Sequence, residues 1–215
     1  MTRKLFAEGL GTALLLLAVI GSGIYGEALS DGNTAIALLA NAIATGCMLF
    51  VLITCLGPIS GAHFNPAVSL AFFLRGDLGL PDLVRYIPVQ IVGGILGVWL
   101  AHVIYAEPIL QFSTTARTGG PQWISEGVAT FGLLFVIFGG LKQRPDDVPM
   151  LVALYITGAY WYTSSTSFAN PAVTIARMFS DTFAGINPSH VIGFIICQII
   201  GVIVGHFILK WLFKD

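Results

Sequence analysis

The chain has 215 residues, of which 56% are hydrophobic and only 10% are charged, whereas the surface of a soluble domain of this length needs more charge. Ten Lys and Arg residues against eleven Asp and Glu give a net charge of −1, which excludes the basic surface of a nucleic-acid-binding protein. With a mean hydropathy of +0.86, the chain is expected in a lipid bilayer.

The charge-free runs along the chain predict six membrane-spanning helices. They cover residues 9–26, 32–74, 86–106, 127–141, 148–176 and 182–209, and one spanning helix needs about 20 residues. The second run has 43 residues, which is about one span more than a single helix can use. Part of this run is therefore expected to enter the membrane without crossing it.

Two Asn-Pro dipeptides lie inside these apolar runs, in the stretches HFNPAVSL (63–70) and FANPAVTIAR (168–177). Asn favours the N-cap of a helix and Pro favours its first position, so the sequence predicts that short helices begin at Asn65 and Asn170. The non-helical backbone that leads into them is tolerated at membrane depth only where it is buried in protein or lines a water-filled cavity. The two motifs therefore predict a cavity.

The basic residues predict the orientation of the chain. In a six-span arrangement eight of the ten lie on one side, and only Arg117 and Arg177 lie on the other. Lys and Arg are enriched in cytoplasmic loops, so both termini are expected in the cytoplasm. The eight residues are Arg3, Lys4, Arg75, Arg85, Lys142, Arg144, Lys210 and Lys214.

The two halves of the chain repeat the same landmarks in the same order. AEGLGTALLLLAVIG (7–21) matches SEGVATFGLLFVIFG (125–139), the two NPAV stretches match each other, and VQIVGGILG (89–97) matches CQIIGVIVG (197–205). Each half has three spans, an odd number, so the halves insert in opposite directions and share a site near the midplane. We expect one all-α membrane domain over 1–215, with six transmembrane helices and two re-entrant half-helices in an inverted repeat of 1–110 and 118–215.

Glu8 and Glu126 occupy matching positions in the first span of each half. An ionisable residue in a membrane span is by default a functional candidate, such as a proton relay. The alternative, which we favour, is a structural role in which each carboxylate accepts hydrogen bonds from the irregular backbone of the re-entrant loop in its own half.

The glycines and cysteines of the spans are expected to serve packing. Glycines at 93, 97, 201 and 205 have the spacing that allows close helix approach. Cys47, Cys55 and Cys197 lie in apolar runs and form no Cys-x-x-Cys pair. They are expected to be packed free thiols, and the sequence predicts no metal site and no cofactor.

Two Asn-Pro-Ala motifs, the paired Glu in the first span of each half and the paired Gln-x-x-Gly in the third resemble the aquaporin and aquaglyceroporin family over essentially the whole chain. The resemblance implies a channel rather than an enzyme, with no catalytic residue, in the inner (plasma) membrane of a bacterium. It also implies a homotetramer whose partners are small neutral solutes, water and the lipid bilayer. The implied pore motifs are Asn65, Pro66, Ala67, Asn170, Pro171 and Ala172.

A pore of this kind excludes cations and offers both donors and acceptors to a solute. Each half-helix presents about +0.5 of a charge at its N-terminus, and the NH₂ groups of Asn65 and Asn170 are free to donate to a passing oxygen. Carbonyls of the stretches that lead into the motifs are expected to accept. The resemblance places His63 in the cytoplasmic half, with a packed neutral His as the alternative. The other expected lining residues are Gly61, Ala62, Phe64, Ser167, Phe168 and Ala169.

In the family, Arg normally follows the second motif and forms the outer constriction with an aromatic residue, but this chain has Val173. The family's four filter positions, carried over by spacing, are Thr45, Gly158, Ser167 and Val173. Such a filter is expected to be wide and weakly polar. The pattern, including SSTSFANPAVTIAR, is similar to bacterial aquaglyceroporins associated with arsenic resistance. That similarity implies glycerol-like polyols and trivalent arsenic and antimony hydroxides as candidate cargo.

Arg177 lies four residues beyond Val173, one turn further along the same helix face. It either snorkels to the extracellular interface, which we favour, or returns a positive charge to the outer vestibule.

Other functions stay open at this stage. A secondary transporter also has inverted repeats and broken helices, but it needs ionisable coupling groups near the midplane. A mainly water-conducting aquaporin would share most of the motifs. Ser60 and His63 suggest an intramembrane protease, but they have no counterpart at the second motif, so an enzyme is not expected.

Overall fold

The computed structural model describes residues 2–214, and within them every regular element is a helix. The expected all-α fold is confirmed. The helices are α1 (Arg3–Leu29), α2 (Thr34–Ser60), α3 (Pro66–Arg75), α4 (Leu80–Tyr105), α5 (Gly120–Gln143), α6 (Val148–Tyr162), α7 (Pro171–Arg177) and α8 (Val191–Leu212). Short 3₁₀ turns at Pro145–Asp147 and Pro188–His190 precede α6 and α8.

The long helices account for the expected spans. In the described chain, five helices are long and apolar enough to cross a membrane, namely α1, α2, α4, α5 and α8 with its preceding turn. Helix α6 has 15 residues and takes the place in the second half that α2 takes in the first. We call the face with the start of α1 and the end of α8 the terminal face, and the opposite one the loop face.

The helix contacts repeat between the two halves. Helix α1 packs against α4 and α2, and α5 packs in the same way against α8 and α6, while α2 and α6 meet each other between the halves. The predicted inverted repeat therefore appears as two equivalent groups of helices that share one central contact.

Glycines bring the first and third long helices of each half into close contact. A Cβ on Gly93 would lie 2.2 Å from the carbonyl oxygen of Gly9, and one on Gly97 would lie 2.1 Å from that of Ala13. A Cβ on Gly201 would similarly lie 2.6 Å from the oxygen of Gly127. Because backbone atoms cannot move aside as a flexible side chain can, these positions admit no larger residue without a helix shift.

Both half-helices begin where the Asn-Pro motifs predict. The side-chain oxygen of Asn65 accepts from the N–H of Ala67 at 2.8 Å. That of Asn170 accepts from Ala172 and Val173 at 2.9 and 3.2 Å. Helix α3 ends near the terminal face, and α7 ends toward the loop face, so the N-termini of the two half-helices meet at the centre of the molecule.

The cysteines differ from their expected packing. Cys47 and Cys55 are free but exposed, and Cys197 is partly exposed. Cys47 and Cys55 lie on the outward face of α2, whereas Thr45 and Leu52 on the same helix are buried. An apolar run does not distinguish these faces, because a helix face that contacts lipid is apolar as well.

Candidate pore and its selectivity region

A narrow cavity of about 120 Å³ runs through the centre of the molecule and is lined by both halves of the chain. Near the terminal face its walls include Phe72 and Leu141, and toward the loop face they include Tyr160 and Arg177. Asn65 and Asn170 line it where the two half-helices meet. The cavity predicted from the two Asn-Pro motifs therefore lies between them.

The two motifs are hydrogen-bonded to each other where they line the cavity. The side-chain NH₂ of Asn65 donates to the carbonyl of Ala169 at 2.7 Å, and that of Asn170 donates to the carbonyl of Phe64 at 2.9 Å. Each amide has two N–H bonds, so one remains on each residue for a solute. The reciprocal bonds fix both amides in place, which sequence spacing did not reveal.

The backbone before each motif turns sharply instead of running extended. Ala62 and Phe64 have φ values of 50° and 49°, and the residues at the same offsets in the second half, Ser167 and Ala169, have 51° and 46°. Left-handed φ values are unfavourable for residues with a Cβ. Their recurrence at matching positions in both halves indicates that the surrounding contacts impose this conformation.

This conformation leaves a row of carbonyls without partners. Among the described residues, no hydrogen bond reaches the carbonyl oxygens of residues 61, 62 and 63, or of 166, 167 and 168. Gly61, Ala62, His63, Ser167 and Phe168 line the cavity. Because a buried carbonyl without a partner is unfavourable, these oxygens are suited to accept from a solute that passes along the cavity.

Glu8 holds the first of these loops. Its Oε1 accepts from the Ser60 hydroxyl at 2.7 Å and from the N–H of His63 at 3.0 Å. Its Oε2 accepts from the N–H of Phe64 at 2.7 Å and from the Gln90 amide at 2.8 Å. Four donors on a buried carboxylate are what the structural role requires, and they leave no oxygen directed to the cavity.

Glu126 does the same in the second half. It accepts from the N–H groups of Phe168 and Ala169, each at 2.9 Å, and from the Gln198 amide at 2.6 Å. Neither Glu8 nor Glu126 is among the cavity-lining residues. This geometry favours the structural role over a proton relay for both carboxylates.

His63 lines the part of the cavity toward the terminal face. Its Nδ1 lies 3.0 Å from the Ser69 hydroxyl, and its ring lies 4.5 Å from that of Phe72. His63 therefore lines the cavity and is also packed against its neighbours. The sequence analysis had taken these two roles as alternatives.

A family model for major intrinsic proteins matches residues 1–164. The chain belongs to the major intrinsic protein family. Members of this family are membrane channels and not enzymes. The chain is 51% identical to the aquaglyceroporin AqpS of Rhizobium meliloti (strain 1021), over all of this chain and 91% of that protein. It is 30% identical to aquaporin Z of Photorhabdus laumondii, over 100% and 99% of the two chains.

A solved structure has the same fold. The aquaglyceroporin from Plasmodium falciparum superposes with a TM-score of 0.78 and covers 99% of this chain and 98% of its own, at 18% identity. That identity is informative about the fold alone. It supports the arrangement of six spans and two half-helices.

Three of the four filter residues expected for this major intrinsic protein line the cavity, namely Thr45, Ser167 and Val173. Gly158 does not line the cavity, so its assignment to the filter was wrong. This residue is exposed, and no atom lies within 4 Å of the position that a Cβ would take there. Tyr160 lines the cavity instead, with its hydroxyl 3.2 Å from that of Thr45. Two residues turn a helix by about 200°. An error of two residues in the spacing between α6 and the second motif therefore selects a residue on the opposite face of α6.

The helical periodicity of α6 contains a signal for Tyr160. The cavity-lining residues of this helix are Val148, Val152, Ile156 and Tyr160, which follow each other at intervals of four. Such a stripe marks one helix face. It therefore identifies Tyr160 as a lining residue and excludes Gly158.

Two other expectations are corrected by the structure. Ala169 does not line the cavity, because its N–H is bound by Glu126 and its carbonyl by Asn65. Arg177 does not snorkel outward: it is 2% exposed and lines the cavity. This end of the cavity therefore contains the aromatic ring of Tyr160, which the sequence did not place there, and the cation of Arg177, which the sequence placed there only as the less favoured alternative.

Proposed function

We propose that this protein is a passive, bidirectional channel for small uncharged solutes, namely water, glycerol-like polyols and trivalent metalloid hydroxides such as arsenite. One observation carries the proposal. A central cavity lined by both halves offers two fixed amide donors, on Asn65 and Asn170, between two rows of unpartnered carbonyls. A neutral molecule with several hydroxyl groups can exchange its hydration for these groups in sequence.

The cavity lining supports a channel over a secondary transporter. Coupling to a proton or sodium gradient needs an ionisable group that binds the ion in the substrate path. Among residues 2–214, no Asp or Glu lines the cavity, and the one histidine that does, His63, is bound to the Ser69 hydroxyl. The two central carboxylates are occupied by their own loops. Flux is therefore expected to follow the solute gradient alone.

The proposed cargo is broader than water because of Val173. It directly follows the second motif and lines the cavity, and an aliphatic side chain there fills less space than the Arg usual in the family. The 51% identity to a protein named as an aquaglyceroporin supports polyol transport. The relative named aquaporin Z, at 30% identity, keeps a mainly water-conducting pore as the alternative.

The test is stopped-flow light scattering on proteoliposomes, with water, glycerol and arsenite gradients applied in parallel. Liposomes without protein give the background, and a protonophore removes any proton gradient. We expect uptake of all three solutes above background and no change with the protonophore. Water flux without glycerol or arsenite flux would favour the alternative, and uptake that the protonophore abolishes would contradict the channel.

We further propose a homotetramer in the bacterial inner membrane with both termini in the cytoplasm. The charge distribution of the sequence supports the orientation, and exposed Leu and Ile side chains around the helices support lipid and subunit contacts. Light scattering of the detergent-solubilised protein and reporter fusions at the two ends test these two statements separately.

A further inference from the structure

The last residue of α7 introduces a buried cation into the cavity. Arg177 is 2% exposed and lines the same cavity as Val173. Four residues correspond to about 6 Å of helix rise, and long side chains on a helix lean back toward its N-terminus. The guanidinium of Arg177 can therefore return to the level of Val173, which is the position the family normally gives to Arg.

Two contacts hold this guanidinium in place. Its Cζ lies 3.5 Å from the centre of the Phe168 ring, and its Nε donates to the carbonyl of Ala184. Phe168 is itself packed edge-on against Phe194, at 5.1 Å between ring centres. Arg stacks on aromatic faces through its planar, delocalised cation, so the ring supports the charge from one side.

The outer nitrogens of Arg177 are left available. In the described part of the chain, the Nε bond to Ala184 is the one hydrogen bond of its side chain. Neither of the arginine ion pairs, Arg75–Asp77 and Arg144–Asp147, includes it. Glu126, whose carboxylate binds the N–H of Phe168, is already occupied by backbone and Gln198. The positive charge of Arg177 is thus not neutralised by a carboxylate in contact with it.

Polar groups of the same cavity complement this cation. The Ser167 hydroxyl is buried and has no hydrogen-bond partner among residues 2–214, and Ser167 lines the cavity. The Thr45 and Tyr160 hydroxyls form a pair there at 3.2 Å. A buried hydroxyl without a partner is unfavourable unless a ligand or water satisfies it.

We propose that Arg177 is the specificity-determining cation of this pore, supplied from one helical turn beyond the usual position, with Ser167 and Tyr160 as its polar counterparts. This inference rests on the proposed channel function. The terminal nitrogens of Arg177 donate to solute hydroxyls, and its charge repels cations that approach the two central amides. Val173 gives the same constriction an aliphatic wall, so the site combines cation exclusion with room for a polyol.

Arg117 provides a matched control for a purely structural role. Its Nε donates to the Gly185 carbonyl at 2.7 Å and its Nη2 to that of Phe183 at 3.2 Å. Its Cζ lies 5.3 Å from the Phe168 ring, but it is absent from the cavity lining. Arg117 thus holds the same loop and contacts the same ring without facing the path.

The experiment compares Arg177→Met and Arg117→Met with the wild-type protein in proteoliposomes. One readout is the potassium-driven cation leak, measured with a fluorescent ion indicator, and the other is the ratio of glycerol to water permeability. Removing a unit charge a few ångströms from the path is expected to raise the cation leak of Arg177→Met about tenfold or more and to raise the permeability ratio. Arg117→Met should match the wild type in both.

Two further variants cover the case in which Arg177→Met does not fold. Arg177→Lys keeps the charge but loses the planar fork and the stacking, so the leak should stay low while the permeability ratio changes. Phe168→Leu removes the stacking surface, so both readouts should rise. Wild-type values in every folded Arg177 and Phe168 variant overturn the proposal.

The outcomes for Arg177 and for the channel itself are separable. A wild-type protein that conducts none of the three solutes contradicts the proposed function and with it the role of Arg177. A wild-type protein that conducts, together with an Arg177→Met variant of equal expression and unchanged selectivity, contradicts the Arg177 proposal alone.

Discussion

The central amides of Asn65 and Asn170 are expected to contribute to both the stability of the fold and the flux of solute. Asn170→Ala removes an N-cap that binds the N–H groups of Ala172 and Val173 at 2.9 and 3.2 Å. It also removes the bond to the Phe64 carbonyl at 2.9 Å. The cap contributes about 1 kcal/mol, and a buried hydrogen bond whose partner is left unpaired adds about 1–3 kcal/mol. We expect the free energy of unfolding to fall by about 2–4 kcal/mol in total.

Asn33 offers a control with the same cap chemistry outside the cavity. It caps α2 by accepting from the N–H groups of Ala35 and Ile36 at 3.1 and 3.3 Å, and it is exposed. Asn33→Ala should therefore cost only the cap, about 1 kcal/mol, and leave flux unchanged.

The assay is denaturant unfolding in detergent micelles, paired with stopped-flow glycerol and water flux at matched protein content. Asn170→Ala should be the less stable variant and should change flux, because its free N–H no longer meets the solute. Equal losses of stability for Asn170→Ala and Asn33→Ala, together with normal conduction by the former, would refute a pore between the two motifs.

Three further predictions follow from individual contacts. Val173→Arg narrows the cavity and should lower the ratio of glycerol or arsenite permeability to water permeability in liposomes; an unchanged ratio would mean that Val173 does not line the constriction. Gly97→Ala should lower the free energy of unfolding by about 1–3 kcal/mol, since the added Cβ would lie 2.1 Å from the Ala13 carbonyl oxygen. Gly57→Ala is its control, because nothing lies within 4 Å of a Cβ there, and equal effects would contradict the close packing. Glu126→Gln leaves at least one of the three buried donors without an acceptor and should cost about 1–3 kcal/mol of stability, while flux stays independent of an imposed pH gradient. A flux that loses a proton dependence in this variant would restore the relay interpretation.

Much of the fold can be predicted from short sequence patterns, because these patterns determine local structure. The starts of α3 and α7 depend on an Asn cap followed directly by a Pro, so no distant contact is needed to predict them. The length of the charge-free runs predicts the spans, and the repeated landmarks predict that the halves are equivalent. The paired Glu could be assigned to the loops because a buried carboxylate needs donors and the loops have free N–H groups.

The face of a helix on which a residue lies, and the direction in which a long side chain extends, depend on tertiary contacts. Gly158 and Tyr160 differ by two positions and face opposite sides of α6, so a small error in carried-over spacing exchanges an exposed residue for a lining one. Arg177 could reach either the interface or the cavity from the same backbone position. The Phe168 ring and the Ala184 carbonyl, which selected the cavity, come from segments before and after α7.

Six spans, two half-helices and a polar centre could be predicted from the sequence, because caps and charge-free length are local properties and the repeat is visible in the residues themselves. The way in which the centre is held together depends on contacts between distant segments. The bonds from Asn65 to Ala169 and from Asn170 to Phe64 join residues more than 100 positions apart, and they exist because the inverted halves bring two loops together. The same closure places the cation of Arg177 in one cavity with Ser167 and Tyr160, since the cavity wall is formed by several helices and is encoded in none of them alone.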